Sequence, residues 1–123
     1  MRNIVEIPMK LPSLNEYIYA CKVQRGRWNK GNEMKRSIQR DIEPYLKKLG
    51  VFNNGVRVSF TWIEKDKKRD LDNICFAKKF ILDAMVNGGV IPNDNARYVK
   101  GFMDNFGYSK EDAKVIVEVI EDE

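Results

Sequence analysis

Between residues 56 and 62 the chain alternates without a fault. Val56, Val58, Phe60 and Trp62 are apolar, and Arg57, Ser59 and Thr61 between them are polar. Side chains of a strand project to opposite faces with period two, so this segment reads as a half-buried strand. A sheet with one apolar face needs a second layer to cover it, and two stretches carry the helical period that can supply one. Met34, Ile38, Ile42, Tyr45, Leu46 and Leu49 recur at helical spacing, with Asn32 placed to cap the start and Gly50 the end. Pro44 lies inside that run and predicts a kink or a break. A second helix over about 73–86 sets Ile74, Ala77, Ile81, Ala84 and Met85 along its inner side and stops at Gly88-Gly89.

Residues Asn3 to Met9 alternate loosely and read as a first strand; 11–20 are a turn-rich entry into a short helical or irregular piece. The mixture of Arg, Lys, Gly and Trp from Cys21 to Asn32 has no period and reads as a flexible basic loop. Two further strands, near 98–104 and 114–120, are expected to pair with each other across the 105–112 connection. The last of them is apolar on both faces: Val115, Val117 and Val119 on one, Ile116 and Ile120 on the other. Such a strand is central in its sheet or meets a partner subunit. With no internal repeat and no linker, the expectation is one α+β domain over residues 1–123, a mixed sheet in the order βαβαββ with two main helices packed on it.

The chain has no histidine, which removes serine–histidine and cysteine–histidine catalysis. Cys21 and Cys75 lie far apart and cannot by themselves make a structural zinc site. Hydrolytic chemistry must come from carboxylates, lysines or a metal held by oxygen. No apolar run approaches the ~20 residues of a bilayer span, and the opening MRNIVEIPMKLP is too short and broken for a signal peptide. A cytosolic protein without membrane contact is expected. The net charge of +4 is unevenly spread: Lys and Arg concentrate between Lys22 and Lys48 and again at Lys65–Arg69, while Glu118–Glu123 is acidic. Clustering of this kind suits a polyanionic partner.

The segment that points to chemistry is Asp70-Leu71-Asp72-Asn73, preceded by the cationic run Lys65-Asp66-Lys67-Lys68-Arg69. On an extended backbone Asp70 and Asp72 face the same way. The Gly88-Gly89 turn lets the chain come back, offering Asp94 as a third carboxylate. Three converging carboxylates would hold Mg²⁺ with positions left for water and a phosphate oxygen. The same aspartates also suit a helix cap and a turn, and spacing does not decide between the two.

Arg69-Asp70-Leu71-Asp72-Asn73, then Leu82-Asp83-Ala84-Met85, then Gly89-Val90-Ile91-Pro92-Asn93-Asp94 resemble the core signature of the RusA family of crossover-junction endodeoxyribonucleases. Pro12-Ser13-Leu14-Asn15-Glu16-Tyr17 is similar to that family's N-terminal element, so the resemblance runs from about Ile7 to Met103. It implies a homodimeric, Mg²⁺-dependent (or Mn²⁺-dependent) nuclease that nicks two opposed strands of a four-way DNA junction, often phage-borne. Its metal-site aspartates fall on Asp70, Asp72 and Asp94. A functional lysine expected one turn into the following helix is replaced by Phe76; counting back from Asp83-Ala84-Met85 puts Lys79 in register, with Lys78 its neighbour.

For such an enzyme, Lys65, Lys67, Lys68 and Arg69, with Arg25, Arg27 and Lys30 of the basic loop, would contact phosphates without reading sequence. Trp28 is either a stacking residue at the branch point or a partly buried loop aromatic, and Asn15 and Asn73 are candidates for polar support of the site. Three other readings stand beside the resolvase: a general branched-DNA or flap nuclease, a DNA-binding module without catalysis, and a metal-dependent phosphohydrolase of small nucleotides. The last lacks any GxxxxGK[ST] phosphate loop.

Overall fold

A computed structural model describes residues 2–121 of the chain; Asp122 and Glu123, the end of the acidic tail, lie outside the described residues. The chain runs β1 (Arg2–Ile7), α1 (Leu14–Cys21), a hairpin of β2 (Gln24–Arg25) and β3 (Trp28–Asn29), and α2 (Lys30–Leu46) closing in a 3₁₀ turn (Lys47–Leu49). It continues through β4 (Val56–Glu64), α3 (Leu71–Cys75), α4 (Lys78–Asn87), β5 (Val99–Tyr108) and β6 (Lys114–Glu121). The architecture is α+β in one small domain, with a mixed main sheet of order β1-β6-β4-β5.

The expected pairing of the last two strands does not occur. β6 runs antiparallel between β1 and β4, and β5 lies parallel on the far side of β4. Parallel neighbours need a long crossover, which α3 and α4 provide, so β5 is delivered to the outer edge of β4. β6 is then free to take the central place that its two apolar faces suit. Val117 sits opposite Phe60 on one side and Val5 on the other, all three buried.

The inner face is continuous. Val58, Phe60 and Trp62 of β4, Val115, Val117 and Val119 of β6, and Val5 and Ile7 of β1 pack in one cluster with Ile42 and Leu46 of α2 and Phe80, Ile81, Ala84 and Met85 of α4. The opposite face carries no helix. Across it Ile4, Glu118, Ser59 and Met103 stand in line, with Ile4 60% and Met103 62% exposed.

Three local expectations change. The segment from Cys21 to Asn32 is ordered: β2 and β3 form a small hairpin turning at Gly26 (φ 58), and Asn29, not Asn32, caps α2 by accepting a hydrogen bond from the Asn32 amide at 3.1 Å. The first turn of α2 lies so close to the end of α1 that a Cβ at Gly31 would collide with Cys21 Sγ. Pro44 does not break α2; it lies on an exposed position two residues before the helix ends, where water can take the bond that its ring removes. The second helix, in contrast, is broken at Phe76–Ala77 into α3 and α4. No helix of the described residues is long and apolar enough to cross a membrane.

Burial sets the expected cost of truncation. Ile81→Ala removes a fully buried side chain and should cost about 2–5 kcal/mol in urea denaturation. Ile18→Ala, at a 43% exposed position on α1, should stay within about 0.5 kcal/mol of the parent.

Candidate functional site

β4 ends at Glu64 and the chain turns through residues 65–70 before α3 begins. Asp66 closes the turn by accepting from the Lys68 amide at 3.0 Å. Lys65, Lys67 and Lys68 are exposed, with Lys67 Nζ 5.2 Å from the centroid of the Tyr108 ring. Arg69 turns inward. Its guanidinium donates to the Leu11 carbonyl at 3.1 Å and to Glu64 Oε1 at 3.4 Å, and it pairs with Glu16. Only 17% of the side chain is exposed, so Arg69 differs from the other cations of the run in being committed to contacts within the chain.

That clamp fixes where Asp70 starts α3. Asp70 has extended backbone (φ −72, ψ 149) and occupies the N-cap position, yet its side chain makes no capping hydrogen bond. Asp72 lies in the first helical turn, where its Oδ1 accepts from the Asn73 amide at 3.0 Å. The extended geometry expected for the pair therefore ends at Asp70. Both carboxylates are exposed.

Asp94 does not join them. It borders a hollow of about 300 Å³ with Lys35, Gln39, Asp83, Val86 and Asn87, beside the far half of α4. Asp83 lies on α4, beyond the break at Phe76–Ala77 that separates it from Asp72 on α3. The Gly88-Gly89 turn, with Gly89 at φ +77, returns the chain to that end only. Among the described residues no three acidic, histidine or cysteine side chains stand close enough to hold a metal. The expected three-carboxylate cluster is thus not assembled within one chain, and the Asp70–Asp72 pair is what remains for a hard cation.

The two candidate lysines are held differently. Lys79 Nζ pairs along its helix with Asp83 at 3.2 Å and is 55% exposed. Lys78 Nζ lies 2.6 Å from Asp104 Oδ2 and 4.7 Å from the Phe102 ring centroid, with 21% of its side chain exposed. The other oxygen of Asp104 accepts from the indole N–H of buried Trp62 at 2.9 Å. Lys78 is therefore held on two sides. Asp72, Lys78, Lys79 and Lys35 all border one cavity of about 570 Å³ whose floor is Phe76, Phe80 and Tyr17. Cys75 opens into the same cavity; burial pushes its thiol above the ordinary value of 9.0, and the Asp104 carboxylate adds to the shift.

The remaining candidates do not line this cavity. Arg25, Arg27 and Lys30 are exposed on or beside the β2–β3 hairpin, as is Trp28, whose indole N–H donates to Glu33. Asn15 faces a different hollow, with Tyr19, Lys30 and Met34, and Asn73 is half-buried and engaged through its amide. Asp104 was missed by sequence reasoning. It is an acid at an inward position of β5, between Phe102 and Phe106, which by register face the side of Phe60 and Trp62. An acid between aromatics in an alternating strand is the signal that could have found it. No family model matches the chain, and no curated protein matches it.

Two measurements test the clamp. Arg69→Ala strands the buried Glu64 carboxylate and should cost about 3 kcal/mol in chemical denaturation, the lower end for breaking a buried pair. Burial raises the Glu16 pKa, but the Ser13 amide and the Arg69 guanidinium outweigh it and hold the carboxyl below 4.5. Its folded value lies below its unfolded one, so its stabilisation is complete above about pH 4.5 and fades as the pH falls through the folded value. Glu16→Gln should flatten the fall in Tm below that pH; a parallel acid limb in the variant would remove Glu16 from the network.

Proposed function

We propose that this chain is a Mg²⁺-dependent endodeoxyribonuclease that resolves four-way DNA junctions by paired nicks, in keeping with its resemblance to the RusA family. The observation that carries the reading is the placement of Asp72 and the anchored Lys78 on one cavity, with the exposed cations Lys65, Lys67 and Lys68 on the turn that leads into Asp70 and Asp72. Mg²⁺ is commonly held by one or two carboxylates, with water and phosphate oxygens completing its shell, so Asp70 and Asp72 suffice as protein ligands and Asp94 is not needed. When bound, the metal (Mn²⁺ being the alternative) supplies an activated water and neutralises charge on the phosphate. Lys78, oriented by Asp104, places a fixed positive charge at the same opening. Lys65, Lys67, Lys68, Arg25, Arg27 and Lys30 hold the DNA backbone.

A four-way junction presents two strands related by an approximate two-fold, and a homodimer matches it with two equal sites. The uncovered sheet face, with Ile4 and Met103 exposed and Ile116 and Ile120 half-buried, is the apolar surface available for that contact. A second reading, a DNA-binding module without catalysis, is favoured by one fact alone: Asp94 stands apart from Asp70 and Asp72.

An end-labelled four-way junction should be nicked symmetrically with Mg²⁺ and not with EDTA, while a linear duplex of the same sequence stays intact. Asp72→Asn should lower cleavage by about 100-fold or more and leave junction binding in place, because binding rests on the cations. Lys78→Ala should have a comparable effect and Lys79→Ala a smaller one; the reverse order would give the principal role to Lys79. Tight binding without cleavage would establish the non-catalytic module, and cleavage of flaps equal to that of junctions a general branched-DNA nuclease. In sedimentation the protein should run at twice 14.4 kDa, and Met103→Glu should return it to the monomer.

A further inference from the structure

The cavity beside Asp72 has a composition that a phosphate backbone alone does not explain. Its floor is aromatic: Tyr17 stacks on Phe76 with ring centroids 5.6 Å apart and 29° between planes, and Phe80 meets both rings edge-on at 5.5 and 5.6 Å. Tyr17 and Phe76 are half-buried, so part of each ring is open to the cavity, while Phe80 is fully buried beneath them. Its rim is cationic, with Lys35, Lys78 and Lys79 bordering the opening and Asp72 as the single acid. An apolar planar floor under a positive rim is complementary to a ligand that is flat and apolar at one end and anionic at the other. About 570 Å³ is ample for one nucleotide and too little for a paired duplex.

We propose that this cavity receives a single unstacked nucleobase of the DNA substrate, laid on Tyr17 and Phe76, while its flanking phosphates meet Lys35, Lys79 and Lys78. The proposal deepens the nuclease reading and rests on DNA being the partner. It also accounts for a choice of substrate. Swinging a base out of an intact duplex costs a few kcal/mol, and least where pairing is already lost, so a base at a branch point enters easily and one in linear duplex does not. Entry brings the neighbouring phosphate to the side of the cavity where Asp72 and Lys78 stand. Discrimination between branched and linear DNA is then built into one pocket, ahead of any chemistry.

Cys75, on the wall of the same cavity, is the reporter. In a Cys21→Ser background, which leaves Cys75 as the only thiol, its alkylation by iodoacetamide is timed against a short single-stranded oligothymidylate. A control strand of the same length and charge carries abasic sugars throughout. The bases should protect Cys75, reaching half-protection at about tenfold lower concentration than the abasic strand, the difference expected for one stacked base. Phe76→Leu keeps the volume and removes the ring, and should bring the two strands together. Equal protection by both strands, or by neither, overturns the proposal, as does undiminished base-dependent protection in Phe76→Leu. Junction cleavage by the parent protein is read separately. Cleavage without base-dependent protection overturns the pocket alone, and protection without cleavage overturns the nuclease reading alone.

Discussion

The guanidinium of Arg69 is the interaction on which the arrangement of the site depends. It joins the end of the central strand β4, through Glu64, to the connection before α1, through the Leu11 carbonyl, and to α1 itself, through Glu16. Glu16 is already committed to the Ser13 capping box at the start of α1, so the clamp reaches a rigid point on each side. Without it, the direction in which Asp70 and Asp72 leave the sheet would rest on the exposed Asp66–Lys68 turn and the Lys67–Tyr108 contact. A charge bought at the cost of desolvation is used here for geometry more than for stability, since buried pairs add little net free energy.

Electrostatics around the cavity divides the lysines into two kinds. Lys35 of α2 and Lys79 of α4 both reach Asp83, at 3.4 and 3.2 Å, and both lysine side chains remain exposed while the aspartate is largely covered. Lys78 is tied to an acid that is itself tied to a buried indole, with aromatic faces at 4.7 and 5.6 Å. Its charge is held in place before any ligand arrives. Mobile cations at the entrance and a fixed one at the wall suit a surface that gathers an anion loosely and then orients it.

The strands were legible because alternation is a local signal: each of β4 and β6 announces its faces residue by residue. Which strands touch is a non-local fact, and the pairing of β5 with β4 instead of β6 follows from a crossover whose path no short pattern encodes. The site shows the same division. Asp70, Asp72 and their cationic approach could be read, but Arg69 looks like any other member of the run until Glu64 and Glu16 are brought beside it. The choice between the lysines turned on the break at Phe76–Ala77. Seven residues is nearly two full turns, so an unbroken helix would set Lys79 above Asp72; the break gives Lys78 its partner on β5 instead. Asp94 comes to the hollow beside Asp83 and Asn87, which a glycine turn alone does not reveal: it shows that the chain reverses and not how far it travels back.

The central position of β6 has a consequence for how the molecule comes into being. β1 and β4 have no hydrogen bonds to each other, and the strand that joins them is the last of the six in chain order. While a ribosome is still making residues 1–113, the helices have only an unfinished sheet to close on, and the apolar inner side of β4 stays open to water. The pairing of β1 with β6 spans more than a hundred residues, a loop closure that is slow to find. The sheet therefore cannot close until β6 has been synthesised. A chain stopped short of Lys114 would leave Phe60 and Trp62 half-covered, the kind of surface that chaperones and proteases recognise.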